Sequence, residues 1–301
     1  MVHRIADNTV NANFRSQISQ HQYQLSVLQE RLSSGKRINR PSDDPYGLGA
    51  VINLRTSHTE IEQFARSAST ANNKLVIADE SLNGYENVLD RVRTLVTQGL
   101  SDTNTQTAKD ALATEIEALR SRILSVANSQ FGGEYVFGGT RQDVPPFDPL
   151  TGTPSVEPTS AQYIQIEPGS DAIAVGVTAE TVFADATSNI FADLDLAVAA
   201  LRGTGDSVVD RTTLEDSFAR VKVYSDLAAV SHSFVGVNME ITEIVQDRLN
   251  SHELFFESQI SSIEDADFAE TVFELTETQT ALEATYRAAA ANRPSLLDFL
   301  G

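Results

Sequence analysis

Five features of the sequence place reactive residue types at spacings that chemistry uses. Ser33 and Lys36 make a Ser-x-x-Lys pair, the nucleophile-and-base spacing of one group of acyl-transfer enzymes. Asp43-Asp44 presents two adjacent carboxylates, and Asp193 with Asp195 has the alternate spacing with which calcium loops begin. Gly132-Gly133 and Gly138-Gly139 look like glycine turns that cradle phosphates, while His3, His21, His58, His232 and His252 supply imidazoles. Each lacks the partner its chemistry needs. No Ser-Asp-Asn or Lys-Thr-Gly segment accompanies Ser33. Pro45 follows Asp44, so the acid is better placed to cap a helix than to bind a metal. The glycine pairs have no following Lys, and Asp193 and Asp195 have neither the glycine nor the terminal Glu of a calcium loop. The histidines never pair at metal-ligand spacing, and His21 and His58 lie in helical patterns where packing outweighs ligation. The expectation is a chain with no catalytic, cofactor-binding or metal residues and no enzymatic activity.

Composition narrows the field further. Of 301 residues 41% are hydrophobic, enough for a core, but aromatics are only 7% and Trp is absent, thin for a large ligand pocket. Cys is absent, which removes disulfides and thiol chemistry. A net charge of -20 argues against nucleic acid as a partner. No apolar run approaches a membrane span, and the first residues, Met1-Val2-His3-Arg4-Ile5-Ala6-Asp7-Asn8, lack the apolar core of a signal peptide. Residues 1–60 carry a net +2 and the remainder -22, with no Lys or Arg between Arg248 and Arg287.

Helices must position whatever this chain does. Phe14, Ile18, His21, Leu25, Leu28 and Leu32 are spaced 4-3-4-3-4, a heptad seam in a helix from about Asn8 to Ser34. Leu54, Ile61, Ala68, Leu75, Leu82, Leu89 and Val96 recur every seven residues, with a second row from Ser57 through Phe64, Ala71, Ala78, Tyr85 and Val92 to Gly99. These predict one helix from Pro45 to about Gln98, a rod of roughly 80 Å that continues through Asn83-Gly84. Ser101-Asp102-Thr103-Asn104 breaks it, and Leu112, Ile116, Leu119, Ile123 and Val126 predict an antiparallel third helix. Phe131 to Gly139 reads as a strand or tight hairpin. Tyr163, Ile164 and Ile166, then Pro168-Gly169, then Ile173, Val175 and Val177 read as a small antiparallel unit. Helix returns from Ser188 to Gly203. A second long seam, Val223, Leu227, Val230, Phe234, Val237, Ile241 and Ile244, predicts a helix from about Arg211 past Leu254, its stripe taken as intramolecular core. Its later apolar residues, Leu249, Phe256, Ile260 and Ile263, shift phase. Asp267 with Glu270 caps a last helix, whose predicted seam is Phe268, Val272, Leu275, Gln279, Leu282, Tyr286, Ala289, Arg293, Leu296 and Leu300, kinked by Pro294.

The fold class read from this is mainly α: an elongated antiparallel helical rod with coiled-coil-like N- and C-terminal helices and a small β-containing middle domain. Three parts are expected. Residues 1–44 with 265–301 form a terminal coiled-coil assembly domain, 45–138 with 206–264 a helical rod domain, and 139–205 a small β-rich domain with a helix at about 189–202. Each terminal helix has one narrow stripe, and burying it in a two-helix hairpin falls short of the cost of ordering about 60 residues. The terminal helices are therefore expected to gain order when subunits pack side by side. The candidate subunit-assembly residues are Phe14, Ile18, Leu25, Leu28, Leu32, Leu275, Leu282, Tyr286, Leu296, Leu297 and Leu300. Between the first two helices lies an elbow, with Gly35 as helix stop and Asp44-Pro45 as restart. Its candidate joint and cap residues are Gly35, Arg37, Asn39, Asp43, Asp44 and Pro45.

Leu32-Ser33-Ser34-Gly35-Lys36-Arg37-Ile38-Asn39, followed by Asp43-Asp44 and a glycine-containing helix start, resembles the N-terminal signature of the bacterial flagellin family. The helix from Ala281 through Leu296-Leu297-Asp298-Phe299-Leu300 resembles that family's C-terminal segment, and the two matches cover roughly the first 130 and last 90 residues. Three stretches look more like the hook–filament junction branch: Arg40-Pro41-Ser42-Asp43-Asp44-Pro45, Gly133-Glu134-Tyr135-Val136-Phe137-Gly138-Gly139, and Glu264-Asp265-Ala266-Asp267-Phe268-Ala269-Glu270. The resemblance implies a structural adaptor of the bacterial flagellum, exported without a cleaved signal peptide through the type III apparatus. It implies copies of the chain in a ring between an inner hook-junction protein and flagellin, and an export chaperone holding the C-terminal helix. It implies no nucleic acid, membrane or cofactor. The alternative within the family is a filament-forming flagellin.

Overall fold

Heptad-spaced apolar residues, few internal prolines and well-placed caps give long helices, and the computed structural model shows where they begin and end. It describes residues 2–101, 103–155, 159–185, 187–203 and 205–291. The helices are α1 (Val2–Ser34), α2 (Pro45–Gly99), α3 (Gln106–Ala127), α4 (Ala179–Phe183), α5 (Ile190–Arg202), α6 (Ser207–Glu264) and α7 (Phe268–Ala291). The chain is 73% helical, and among the described residues its strands form only two-residue pairs. In one, β1 (Gln130–Phe131) meets β2 (Glu134–Tyr135); in the other, β3 (Tyr163–Ile164) meets β4 (Ile173–Ala174), both antiparallel. Mainly α with small β elements is thus the observed class. The sequence pattern missed α4, a single turn with no periodicity of its own. The expected Pro294 kink and the seam positions Arg293, Leu296 and Leu300 lie outside the described residues.

Chain contacts divide the molecule into two units, residues 1–60 with 252–301 and residues 61–251. In the first, α1 and α7 pack against each other in antiparallel sense: Lys36 pairs with Asp265 in an antiparallel bridge, and Gln22 donates to the Tyr286 hydroxyl at 3.1 Å. The inward faces are narrow. From Ala12 to Ser34 of α1 Leu28 alone is buried, with Phe14, Ile18, Leu25 and Leu32 half-buried on the same stripe.

The second unit holds the main core. Leu75, Leu82, Tyr85, Leu89, Val92 and Val96 of α2 are buried there, both rows of the predicted α2 seam. α3 contributes Ile116 and Ile123, and α5, packed on α3, contributes Phe191, Leu194 and Leu201. Phe183 of α4 sits at the hub of an aromatic cluster. Its ring centroid lies 4.6 Å from Tyr85, 5.2 Å from Phe137 and 6.0 Å from Phe147, the last two edge-on. The middle segment reaches this core through these aromatics, through Val177, Val182 and α5, and through Ile173 of β4.

One predicted seam is corrected. On α6 the residues facing inward are Leu214, Ser217, Val221, Tyr224, Ala228, Ser231, Val235, Asn238, Thr242, Val245 and Leu249. The larger residues Val223, Val230, Phe234, Val237, Ile241 and Ile244 are instead 40 to 70% exposed. The inward row mixes small and hydroxyl-bearing side chains with Leu214, Tyr224 and Leu249, and its buried amide is satisfied: Asn238 donates to the Ala174 carbonyl at 3.0 Å. The α7 seam is corrected in the same sense. Thr271 is buried, and Leu275, Thr278, Leu282, Thr285 and Ala289 are half-buried, whereas Phe268, Val272, Gln279 and Tyr286 are exposed.

Candidate assembly faces and joint

The elbow is fastened by its polar residues onto the end of α6. Gly35 has φ 71°, a left-handed conformation that ends α1 without the strain a Cβ would bring, and its N–H donates to the Arg31 carbonyl at 2.8 Å. The Gly35 carbonyl accepts from Ala266 N at 2.9 Å. Arg37 then caps the C-terminal end of α6 twice: its backbone N–H donates to the Glu264 carbonyl at 2.6 Å and its guanidinium to the Ile263 carbonyl at 2.8 Å. Asn39 holds the turn through its side-chain amide, which donates to the Lys36 carbonyl at 3.0 Å.

The paired acids divide the labour. Asp43 Oδ2 accepts from the backbone N–H groups of Asn39 and Arg40 at 3.1 and 2.8 Å, closing the turn. Asp44 Oδ1 accepts from Gly47 N at 2.8 Å, the N-cap of α2, and Oδ2 accepts from Arg37 at 3.2 Å. The Gly47 N–H, helped by Arg37, holds the Asp44 carboxyl below the ordinary carboxylate range. Gly47 must lack a side chain, since a Cβ there would lie 2.4 Å from Asp44 Oδ2 and 2.9 Å from Ile38 Cδ1. Pro45 starts the helix, where no N–H is needed.

Glu264 is the residue the elbow closes on, and it was absent from the joint residues read from the sequence. Its side chain, 8% exposed, accepts from Lys36 Nζ at 2.8 Å and from the Arg55 guanidinium. Its signal was its place as the last residue before Asp265-Ala266-Asp267, where a helix end needs cations nearby. Lys36, the base of the Ser-x-x-Lys spacing, is committed to this pair. Asp267 caps α7 by accepting from Ala269 N and Glu270 N at 2.8 and 3.1 Å.

The candidate assembly residues fall on both faces of the terminal helices. Phe14, Ile18, Leu25, Leu28 and Leu32 share one stripe of α1, and Leu275 and Leu282 lie on the inward face of α7. Tyr23, Val27, Leu28, Arg31, Glu274 and Thr278 line a groove between the two helices. Tyr286 is exposed at the edge of the pair, where its hydroxyl accepts from Gln22 of α1, and Leu296, Leu297 and Leu300 lie outside the described residues.

In the second unit the densest polar cluster is an ion-pair knot. Arg220 donates through Nε to Asp193 and through Nη1 to Asp185, each at 2.8 Å, and the buried Tyr224 hydroxyl also donates to Asp193. The Thr187 N–H and hydroxyl, with Arg220, hold Asp185 well below the carboxylate range, and burial beside Asp193 pushes Tyr224 up. Asp195 pairs with Arg120 at 2.7 Å. The two acids with calcium-loop spacing are therefore each held by an arginine. Lys74 similarly gathers Glu134, Gln142 and Gln162 at 2.7, 3.3 and 2.9 Å, pinning the β1–β2 hairpin and the β3 approach to α2.

The paired terminal helices and the capped elbow are held by packing, caps and ion pairs, the makings of a structural protein. Residues 5–142 match the bacterial flagellin N-terminal helical region. It is 26% identical over 278 residues to the flagellar hook-associated protein 3 of Escherichia coli (strain K12), covering 86% of this chain and 87% of that protein. A Clostridium tyrobutyricum flagellin is 33% identical, but over 117 residues, 38% of this chain and 31% of that one. The crystal structure of the flagellar junction protein FlgL from Legionella pneumophila shares the fold, with a TM-score of 0.58 at 14% identity over 72% of this chain and all of that one.

Proposed function

We propose that this chain is a structural adaptor at the hook–filament junction of the bacterial flagellum. What carries the reading is coverage: similarity to hook-associated protein 3 extends over most of both chains, including the middle segment, whereas the flagellin match is confined to a shorter stretch. In this proposal copies form a ring through the terminal helices, on an inner hook-junction protein and beneath the first flagellin subunits. An export chaperone holds the C-terminal helix, and the protein leaves the cell without a cleaved signal. The three-part division also belongs to the proposal: 1–44 with 265–301 for assembly, 45–138 with 206–264 as rod, and 139–205 as a small module.

The exposed apolar stripe of α6 supports self-assembly. Val223, Val230, Phe234, Val237, Ile241 and Ile244 lie at heptad spacing along one face. Together they leave on the order of 500 Å² of apolar surface per copy, large for a monomer and enough in a pair to approach a specific interface. A second copy is the occupant that this repeat and area suit. Electron microscopy of a deletion strain tests the function. Intact hooks without filaments, with flagellin released into the medium, are expected. Filaments of normal length on the deletion strain, or long filaments formed by the purified protein alone, would overturn it, the latter in favour of a filament flagellin.

A further inference from the structure

His58 of α2 and Glu253 and Glu257 of α6 come together in the first unit although they are far apart in sequence. One ligand atom from each lies within 4.8 Å of the other two, with His58 Nε2 at 3.9 Å from Glu257 Oε1. That separation exceeds a hydrogen bond and is a few tenths of an ångström wider than the roughly 3.3–3.6 Å between two ligands of a tetrahedral ion bound at about 2.0–2.2 Å. The Nε2 atom is shielded from solvent and turned into the cluster, and the His58 side chain is only 17% exposed. Glu253 and Glu257 stand one turn apart on the same helix face, where like charges repel. No Lys or Arg follows Arg248 on α6, and the nearby cations Lys36 and Arg55 are committed to Glu264.

We propose that His58, Glu253 and Glu257 bind a divalent first-row metal ion, Zn²⁺ by its chemistry, as a clip between the start of α2 and the end of α6. One imidazole nitrogen and two carboxylates leave a fourth position for water and suit zinc, whereas an all-oxygen shell would suit calcium or magnesium. Glu257 is exposed and Glu253 half-buried on flexible stems, so a carboxylate swing of about 1 Å closes the shell to bonding distance. The clip sits beside the elbow and would stiffen the first unit where α6 meets it.

The test uses the full chain, stripped with a chelator and titrated with Zn²⁺ by calorimetry, and with Co²⁺ by its visible absorption. One saturable site is expected. His58→Gln, Glu253→Gln and Glu257→Gln each weaken it at least tenfold, while Glu240→Gln, elsewhere on α6, leaves it unchanged. At a hundredfold excess over Kd the amides of residues 50–60 and 250–262 exchange about a hundredfold more slowly. Circular dichroism confirms that the variants remain helical, which the exposure of Glu257 and the partial exposure of Glu253 favour. No saturable binding, binding retained by all three variants, or displacement by millimolar Mg²⁺ would each overturn the assignment.

Discussion

Val230 and Val235 lie on the same helix, carry the same side chain and can be cut to alanine by the same chemistry, yet one is 70% exposed and the other fully buried. Val235→Ala removes apolar surface from the packed core and leaves a small cavity, a loss of about 2 kcal/mol. Val230→Ala gives up only about a third of that burial. The better helix propensity of alanine returns about 0.5 kcal/mol in both variants, so Val230→Ala ends near zero and Val235→Ala near 1.5 kcal/mol. Native-state hydrogen exchange at the amides of α6 reads the difference directly, since about 1.4 kcal/mol is a tenfold change in opening. Val235→Ala should therefore exchange about tenfold faster than Val230→Ala. Equal effects, or a larger one at Val230, would mean that the stripe from Val223 to Ile244 is the packed face and that the reasoning here is wrong.

Other expectations follow from single contacts. Val230→Ser combined with Val237→Ser and Ile244→Ser leaves the monomer's helix content unchanged, and such a chain fails to restore filaments in a deletion strain. Asp44→Ala loses the α2 cap, seen as faster exchange at residues 46–48, whereas Asp44→Asn keeps the cap and most of the stability. Asp185 has a folded pKa below its unfolded value. Its contribution is complete above about pH 4 and fades as the pH falls toward the folded value. Asp185→Asn should therefore lower stability at neutral pH and flatten the acid limb of a thermal-melt-versus-pH curve. Arg220→Ala strips the cation from the buried Asp193 and should cost about 2–3 kcal/mol in urea unfolding, with Arg220→Lys recovering only part because one ammonium cannot serve both acids.

Much of the fold is legible from local rules. α2 runs from Pro45 to Gly99 because each seventh residue is apolar and Asp44-Pro45 supplies its start. Gly35, Asp44 and Asp267 act where capping chemistry puts them. The faces of α6 and α7 were less legible, because their inward rows carry small and hydroxyl-bearing residues whose burial side-chain size does not announce. The inward α6 row does carry a seven-residue repeat, Leu214, Val221, Ala228, Val235, Thr242 and Leu249, continued by the half-buried Phe256 and Ile263. The phase shift read at Leu249 is simply that row emerging from among smaller residues. On α7 the same disguise is worn by Thr271, Thr278 and Thr285.

By itself the sequence determined the helices, their caps and the resemblance to flagellins, because these depend on neighbours within a turn or two and on motifs contiguous in the chain. Tertiary structure alone decided which stripe of α6 is covered, which acid closes the elbow and which aromatics meet at Phe183. Those outcomes depend on what another helix brings within a few ångströms, as when Lys36 and Arg55 converge on Glu264, or His58 on two glutamates nearly 200 residues away. No pattern along one element encodes such a meeting. The elbow from Gly35 to Pro45 stands between the two cases, its caps written locally and its partner supplied by the fold.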